Sequence, residues 1–321
     1  MKPCTNCYIR SSQNDDPRRG FKDLRLASWN VRSLYRPGAI YQVHRELQRY
    51  RIGIAALQEV RWPGNGECNI DGKATLFYSG DSNGKHVNGV GFLIDNKVLG
   101  NVIKFVAVSD RICVIRIKSR FSHITIVNVY APTEITDDSQ KDLFYEDLEL
   151  VYDQIADYDV KIVVGDLNAQ VGREDTFIPT IGKYSKHQHT NDNGLRLISF
   201  AASKSMLVKS TMFDHKDIHK GTWKSPDGTT VNQIDHVLVD SRHGSNLEDV
   251  RTYRGADCDS DHFLLLIKIK AKIRIQRSGG SEGIVNLDTE KLKDIDIRKS
   301  FQLELKNRFQ ELDNIEDINK M

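Results

Sequence analysis

The chain has 321 residues, 39% hydrophobic and 28% charged, with 46 Lys and Arg against 44 Asp and Glu. That suits one large or two ordinary globular domains, and a net charge of +2 excludes the polycationic signature of a bulk nucleic-acid binder. The longest aliphatic run, Leu264–Ile267, is far below the ~20 residues of a membrane span, no secretory signal opens the chain, and five scattered cysteines (Cys4, Cys7, Cys68, Cys113, Cys258) suit a reducing compartment. The expectation is a nuclear or cytoplasmic protein, neither secreted nor membrane-bound.

Residues 1–20 lack periodicity and are expected to form a flexible leader. A domain over 21–275 follows, with β-rich runs at Leu24–Trp29, Ile52–Leu57, Ala74–Tyr78, Val90–Ile94, Ile112–Ile117, Ile124–Tyr130, Val160–Val164, Ile234–Val239 and His262–Ile275. Ile40, Val43, Leu47 and Tyr50 repeat at helical spacing. Leu143, Phe144, Leu148, Val151, Tyr152 and Ile155 do so after a cap at Asp138 or Ser139, and a third helix is predicted from about Asn193 to Lys204. Many strands with few helices imply two sheets packed face to face with helices outside. Residues 276–321 are expected as a Gly/Ser linker and a charged helical tail, with Phe301, Leu305 and Phe309 at four-residue spacing.

The residues that carry chemistry stand at strand ends: Asn30, Glu59, Tyr130, Asp166 and Asn168 at carboxyl ends, Asp235, Asp261 and His262 at the openings of late strands. Strand ends hold side chains rigidly at one rim while loops vary around them. If these residues converge, Glu59 and Asp261 offer hard oxygen ligands and Asn30 an amide, a set for Mg²⁺ rather than zinc. Asp166 and Asn168, two apart, hold a water; His262 binds or protonates a phosphoryl oxygen, Asp235 fixes its tautomer, and Tyr130 adds a phenol. Metal, oriented water, imidazole and amide together describe hydrolysis of a phosphate ester.

Each residue alone has a plainer reading, since Asp and Asn at strand ends are mostly turn formers or caps. Of ten histidines only His262 is expected to act. His44 is expected on a helix surface, and the pairs His187/His189 and His215/His219 in loops without acidic completion. Cys4 and Cys7 lack a second pair for zinc.

Taken in order, Trp29-Asn30-Val31-Arg32-Ser33-Leu34, Leu57-Gln58-Glu59, Asn128-Val129-Tyr130-Ala131-Pro132, Gly165-Asp166-Leu167-Asn168, Gly221-Thr222-Trp223, Ile234-Asp235-His236 and Ser260-Asp261-His262 resemble the endonuclease/exonuclease/phosphatase superfamily from about Leu24 to Lys272. Within it, Thr222–Gly228, Asn232–His236 and Gly255–His262 are most similar to the endonuclease of RTE-type (BovB-like) non-LTR retrotransposons and to craniofacial development protein 2-like host proteins. Leu287–Leu292 and Phe301–Phe309 resemble the linker that leads to the polymerase in such elements. No aromatic-Ala-Asp-Asp polymerase signature occurs.

The resemblance implies a four-layer α/β sandwich of two packed mixed β-sheets flanked by helices, and a Mg²⁺-dependent DNA endonuclease, Mn²⁺ substituting, that nicks one strand and leaves a 3′ hydroxyl. It implies Glu59 as principal metal ligand with Asn30 beside it, and Asp261 as a metal or outer acid. Asp166 and Asn168 would activate and place the water, and His262 and Tyr130 would contact the scissile phosphate. The product would suit a reverse transcriptase encoded elsewhere, and a monomer is expected. Arg32 stands where abasic-site enzymes carry an acid, and Asn232 where they carry an abasic-pocket Trp, so lesion repair is not implied. Arg32, Lys220, Trp223 and Lys224 are candidate substrate contacts, and Lys183, Lys186, His187 and His189 form a second basic loop. Shared catalytic residues do not fix the substrate, so a same-fold phosphodiesterase and a silent DNA- or protein-binding domain are the alternatives. The complete site inventory favours the enzyme.

Overall fold

The computed structural model describes residues Cys7–Ile9 and Gly20–Ile275. In chain order these form β1 (Cys7–Ile9), β2 (Gly20–Asn30), α1 (Ala39–Arg49), β3 (Ile54–Gln58), β4 (Asn65–Ile70), β5 (Ala74–Ser79), β6 (Val90–Asp95), α2 (Asn96–Leu99), β7 (Val102–Ala107), β8 (Ile112–Ile117) and β9 (Ile124–Tyr130). After them come α3 (Asp138–Asp153), β10 (Val160–Asp166), α4 (Asp192–Ser203), β11 (Met206–Val208), β12 (Trp223–Lys224), β13 (Val231–Asn232), β14 (Asp235–Asp240), β15 (Leu247–Tyr253) and β16 (Leu264–Ile275). The linker and tail expected at 276–321 lie outside the described residues.

Two seven-stranded mixed sheets result. One runs β1-β7-β8-β9-β10-β14-β11 and the other β15-β16-β2-β3-β6-β5-β4. Each has one parallel pair, β9/β10 and β2/β3, joined by a helical crossover through α3 and α1 respectively. The β12–β13 hairpin stands apart, bridged to the body between Trp223 and His262.

Strand alternation sorts side chains into three apolar layers. Leu24 and Leu26 of β2, Ile54 and Ala56 of β3, Ile124 and Ile126 of β9, Ile162 and Val164 of β10, and Val237 and Val239 of β14 fill the space between the sheets. The alternate residues turn outward: Trp29 and Leu57 meet Val43 and Leu47 of α1. On the other side Val129, Val163 and Leu238 meet Leu148 of α3 and Leu197 of α4. This is the α/β sandwich expected from the sequence, four layers deep.

Some expectations need correction. The leader is not structureless throughout, because Cys7–Ile9 pairs antiparallel with Lys104–Val106 and covers an otherwise open edge of the first sheet. His44 does not ride the helix surface: it is buried on α1, and burial pushes its imidazole pKa down. His215 does have an acidic partner, Asp249 Oδ1 at 2.6 Å, supplied by the unanticipated strand β15.

Candidate active site

Register builds the site. In the first sheet Tyr130, Asp166 and Asp235 are direct partners across β9, β10 and β14; in the second, Asn30 partners Gln58 across β2 and β3. Each keeps the parity of the residues that fill the space between the sheets, so the buried apolar layer ends in polar groups at one rim. Gly165 permits this alignment: it has φ +153°, and a Cβ there would come within 1.9 Å of the Val129 carbonyl oxygen. Just past the strands, Glu59, Arg61 and Asn168 take left-handed backbone at φ 52°, 58° and 47°, as does Arg32 at 56°. Such conformations cost non-glycine residues about 1 kcal/mol or more each, and collect where side chains must be aimed.

The Asn30 amide joins the two sheets. Its Nδ2 donates to Glu59 Oε1 at 3.0 Å and to Asp166 Oδ2 at 2.9 Å, while its Oδ1 accepts the Arg32 backbone N–H at 2.9 Å. Tyr130 donates its hydroxyl to Glu59 Oε1 at 3.1 Å, and Arg61 grips Glu59 Oε2 through Nε at 3.2 Å and Nη2 at 2.5 Å. Burial works to raise the Glu59 pKa, but the Asn30 and Arg61 hydrogen bonds, the Arg61 charge and Tyr130 hold it below the usual carboxylate range. Burial first, then the nearby Glu59 and Asp166 carboxylates, raise the Tyr130 phenol, so it stays protonated.

His262 sits on the other side of Asp166. Its Nδ1 donates to Asp235 Oδ2 at 3.0 Å and its Nε2 lies 3.7 Å from Asp166 Oδ2. Burial alone would depress this imidazole; the Asp235 and Asp166 carboxylates outweigh it and raise the pKa to about 9, making a buried imidazolium. Asp166 is itself raised by burial and by Asp235, against the opposing charge of His262 and hydrogen bonds from Asn30 and Asn168. Asp166, Asp235 and His262 present ligand atoms within 4.8 Å of one another, a spacing a metal would also accept.

Asn168 donates one amide hydrogen from Nδ2 to the Ala131 carbonyl at 2.9 Å, which turns Oδ1 toward the opposite side where it can meet a water, and its backbone N–H goes to Asp166 Oδ1 at 3.0 Å. Buried Asn193, on α4, clamps this turn by donating Nδ2 to the Asn168 and Pro132 carbonyls. Asp261 stands further out: its Oδ2 accepts the Trp223 indole N–H at 3.1 Å, and Arg32 Nε approaches its Oδ1 to 3.7 Å. That Oδ1 is shielded from solvent and accepts no hydrogen bond. A shielded carboxylate oxygen without a hydrogen-bond donor and the ionised Glu59 carboxylate are each oxygen ligands of the kind a hard divalent cation takes.

Arg32 and Lys224 line one cleft of about 350 Å³ together with Asp257, Asp259 and Asp261. Half-buried Trp223 donates its indole N–H to Asp261, and Lys220 is not in the cleft wall: its mostly buried ammonium pairs with Asp217 at 3.5 Å. Sequence reasoning overlooked Arg61 and Asn193. The signal for Arg61 was the two-residue offset from Glu59, which matters only because both residues are left-handed.

The model of the endonuclease/exonuclease/phosphatase family matches residues 27–262. Craniofacial development protein 2 of Bos taurus is 34% identical over 251 residues, covering 78% of this chain and 41% of that protein. The chain thus spans about two fifths of the length of the curated relatives it matches. Among solved structures, the Xenopus laevis APE2 catalytic domain aligns with a TM-score of 0.60 at 16% identity, over 80% of this chain and 94% of its own. The endonuclease domain of TRAS1, a telomere-specific non-LTR retrotransposon, aligns at 0.54 and 16%, over 78% and 99%. At that identity these two carry the fold alone.

Proposed function

Because the chain belongs to the endonuclease/exonuclease/phosphatase family, whose fold serves phosphoester hydrolysis, we propose that it is a Mg²⁺-dependent DNA endonuclease that nicks one strand and leaves a 3′ hydroxyl. The observation that carries this reading is the Asn30 amide bonded to both Glu59 and Asp166, with the His262 imidazolium on the far side of Asp166. A cation-binding carboxylate, a water-facing carboxylate and a proton donor thereby share one rim. The retrotransposon endonuclease of like fold supports DNA as the substrate.

Glu59, with Asn30 and Asp261, would hold the divalent cation, which supplies Lewis-acid charge against a phosphoryl oxygen. His262 donates from Nε2 to a non-bridging oxygen, and Asp235 keeps its ring oriented and charged. Asp166, whose raised pKa suits a base near neutrality, takes the proton of the attacking water. The water oxygen bonds to phosphorus as the bond from phosphorus to the 3′ oxygen breaks; that oxygen takes a proton from solvent and the phosphate stays on the 5′ end. Tyr130 and Arg61 hold Glu59, and Asn168 offers Oδ1 to the water. Arg32 and Lys224 in the cleft suit backbone phosphates, contacts that position DNA without reading its sequence.

Supercoiled plasmid incubated with Mg²⁺ or with EDTA tests the reading. Nicked circles are expected from the wild type with Mg²⁺ and not from His262→Ala. A folded wild type that nicks nothing would overturn the endonuclease reading, and hydrolysis of a lipid or inositol phosphate instead would move it to another substrate of the same chemistry.

A further inference from the structure

Two exposed rings meet beside the site without serving the core. Tyr35, 63% exposed, lies on the loop that leaves β2, and His86 lies on the exposed loop between β5 and β6. Their centroids are 4.3 Å apart with planes inclined at 51°. The His86 ring is held by backbone, its Nδ1 bonding the Arg61 carbonyl at 3.0 Å, and the Tyr35 main chain is held by its N–H, which donates to Ser33 Oγ at 3.0 Å. Leu34 N donates to Val60 O at 3.1 Å, Arg61 N to Asn88 O at 2.8 Å, and Trp62 Nε1 to Leu34 O at 3.0 Å. Three loops are laced together, and two of them start from Asn30 and Glu59. Tyr35 is five residues from Asn30, and His86 holds the backbone of the arginine that grips Glu59.

A lone exposed aromatic is ordinary. A paired one, with His86 anchored to the Arg61 carbonyl and with Arg32 and Arg61 on the same laced loops, their side chains 57% and 42% exposed, is a surface prepared for a flat, anionic partner. We propose that Tyr35 and His86 form a stacking platform for an unpaired nucleobase flanking the scissile phosphate, so that locally opened DNA is bound in preference to fully paired duplex. The inference rests on the endonuclease reading and gives its substrate a structural preference. The exposed face of Tyr35 takes the base, which needs no particular identity because every base has a π-face. With Nδ1–H committed to the Arg61 carbonyl, His86 keeps Nε2 to accept from an amino or imino group on a base edge.

The test is binding by the full chain in EDTA, where strands stay intact. The probes are a duplex with a central unpaired bubble and the fully paired duplex of the same length, each carrying 2-aminopurine at the central position. The wild type is expected to bind the bubble more tightly and to quench its 2-aminopurine. Tyr35→Ala is expected to lower affinity for the bubble roughly tenfold more than for the paired duplex and to abolish the quenching, with His86→Ala acting in the same direction and Tyr35→Phe retaining both. Equal affinity of the wild type for the two probes, or equal losses on both in Tyr35→Ala, would overturn the platform while leaving plasmid nicking intact. Failure of the wild type to bind either probe or to nick plasmid would remove the endonuclease reading itself.

Discussion

Asp235 and His236 are neighbours on β14 and point to opposite faces, into two buried polar clusters of contrasting character. On the inner face Asp235 meets His262, and the cluster is charged, left-handed in its flanking backbone and incomplete, with Asp261 Oδ1 accepting no hydrogen bond. On the outer face His236 donates Nε2–H to the Ala169 carbonyl at 2.8 Å and accepts the Ser210 hydroxyl on Nδ1 at 2.8 Å. Gln233 adds Nε2 to the Ser210 carbonyl at 2.9 Å. That cluster is neutral and satisfied, and full burial presses the His236 pKa down to about 4. Two buried histidines thus carry opposite charge states, because one faces carboxylates and the other a carbonyl and a hydroxyl. Burial alone does not mark a functional residue; charge kept in spite of burial at a rim of converging polar groups makes it a candidate.

The two clusters have opposite pH windows. His262, raised to about 9, contributes stability that is complete below about pH 6.5 and lost as pH rises through 9. His236, depressed to about 4, binds fewer protons folded than unfolded in the acid range, so its stability is complete above about 6.5 and lost as pH falls toward 4.

Breaking the charged cluster at its metal side should have the largest effect. Glu59→Ala is expected to cut Mg²⁺-dependent nicking on the order of 10³-fold with the fold unchanged by circular dichroism; full activity in Mg²⁺-repleted buffer would remove Glu59 as the ligand. Breaking the neutral cluster should cost stability instead: urea unfolding is expected to lose about 3 kcal/mol between pH 6.5 and 4 from His236, a loss absent in His236→Gln. Asp235→Asn is expected to slow nicking on the order of 10²-fold and to move the alkaline fall of the rate from about pH 9 toward neutrality, read from a pH–rate profile. Gly165→Ala tests the alignment both clusters depend on and should destabilise by about 2 kcal/mol in urea, since its Cβ would strike the Val129 carbonyl. The smallest effect belongs to Arg61→Gln: removing a half-exposed cation from Glu59 should tighten Mn²⁺ binding roughly threefold, measured by electron paramagnetic resonance.

Core strands and the three long helices were legible because their periods are local. The observed α4 begins and ends within a residue of its expected limits, and α3 starts at the suggested cap region. Strands β1, β4, β7, β11, β12, β13 and β15 were not read. β4 is a largely polar edge strand (Asn65–Ile70) and β11 only three residues long, so neither carries an apolar run that stands out from a loop. Missing β15 is what hid the Asp249 partner of His215. The site residues were legible as strand-end residues in order, whereas Arg61, Asn193 and the Tyr35–His86 pair were not: each matters through a partner on another loop, and no pattern along one chain reveals such a pair.

By itself the sequence determined which residues could share a face, because alternation along each strand is fixed by backbone geometry, and it determined the donor types gathered at the strand ends. Tertiary structure alone decided that Asn30 spans the sheets, that His262 is charged while His236 is neutral, and that Lys220 turns to Asp217 rather than to the cleft. Those outcomes depend on distance and on exclusion of water, and both arise only when segments remote in sequence pack together.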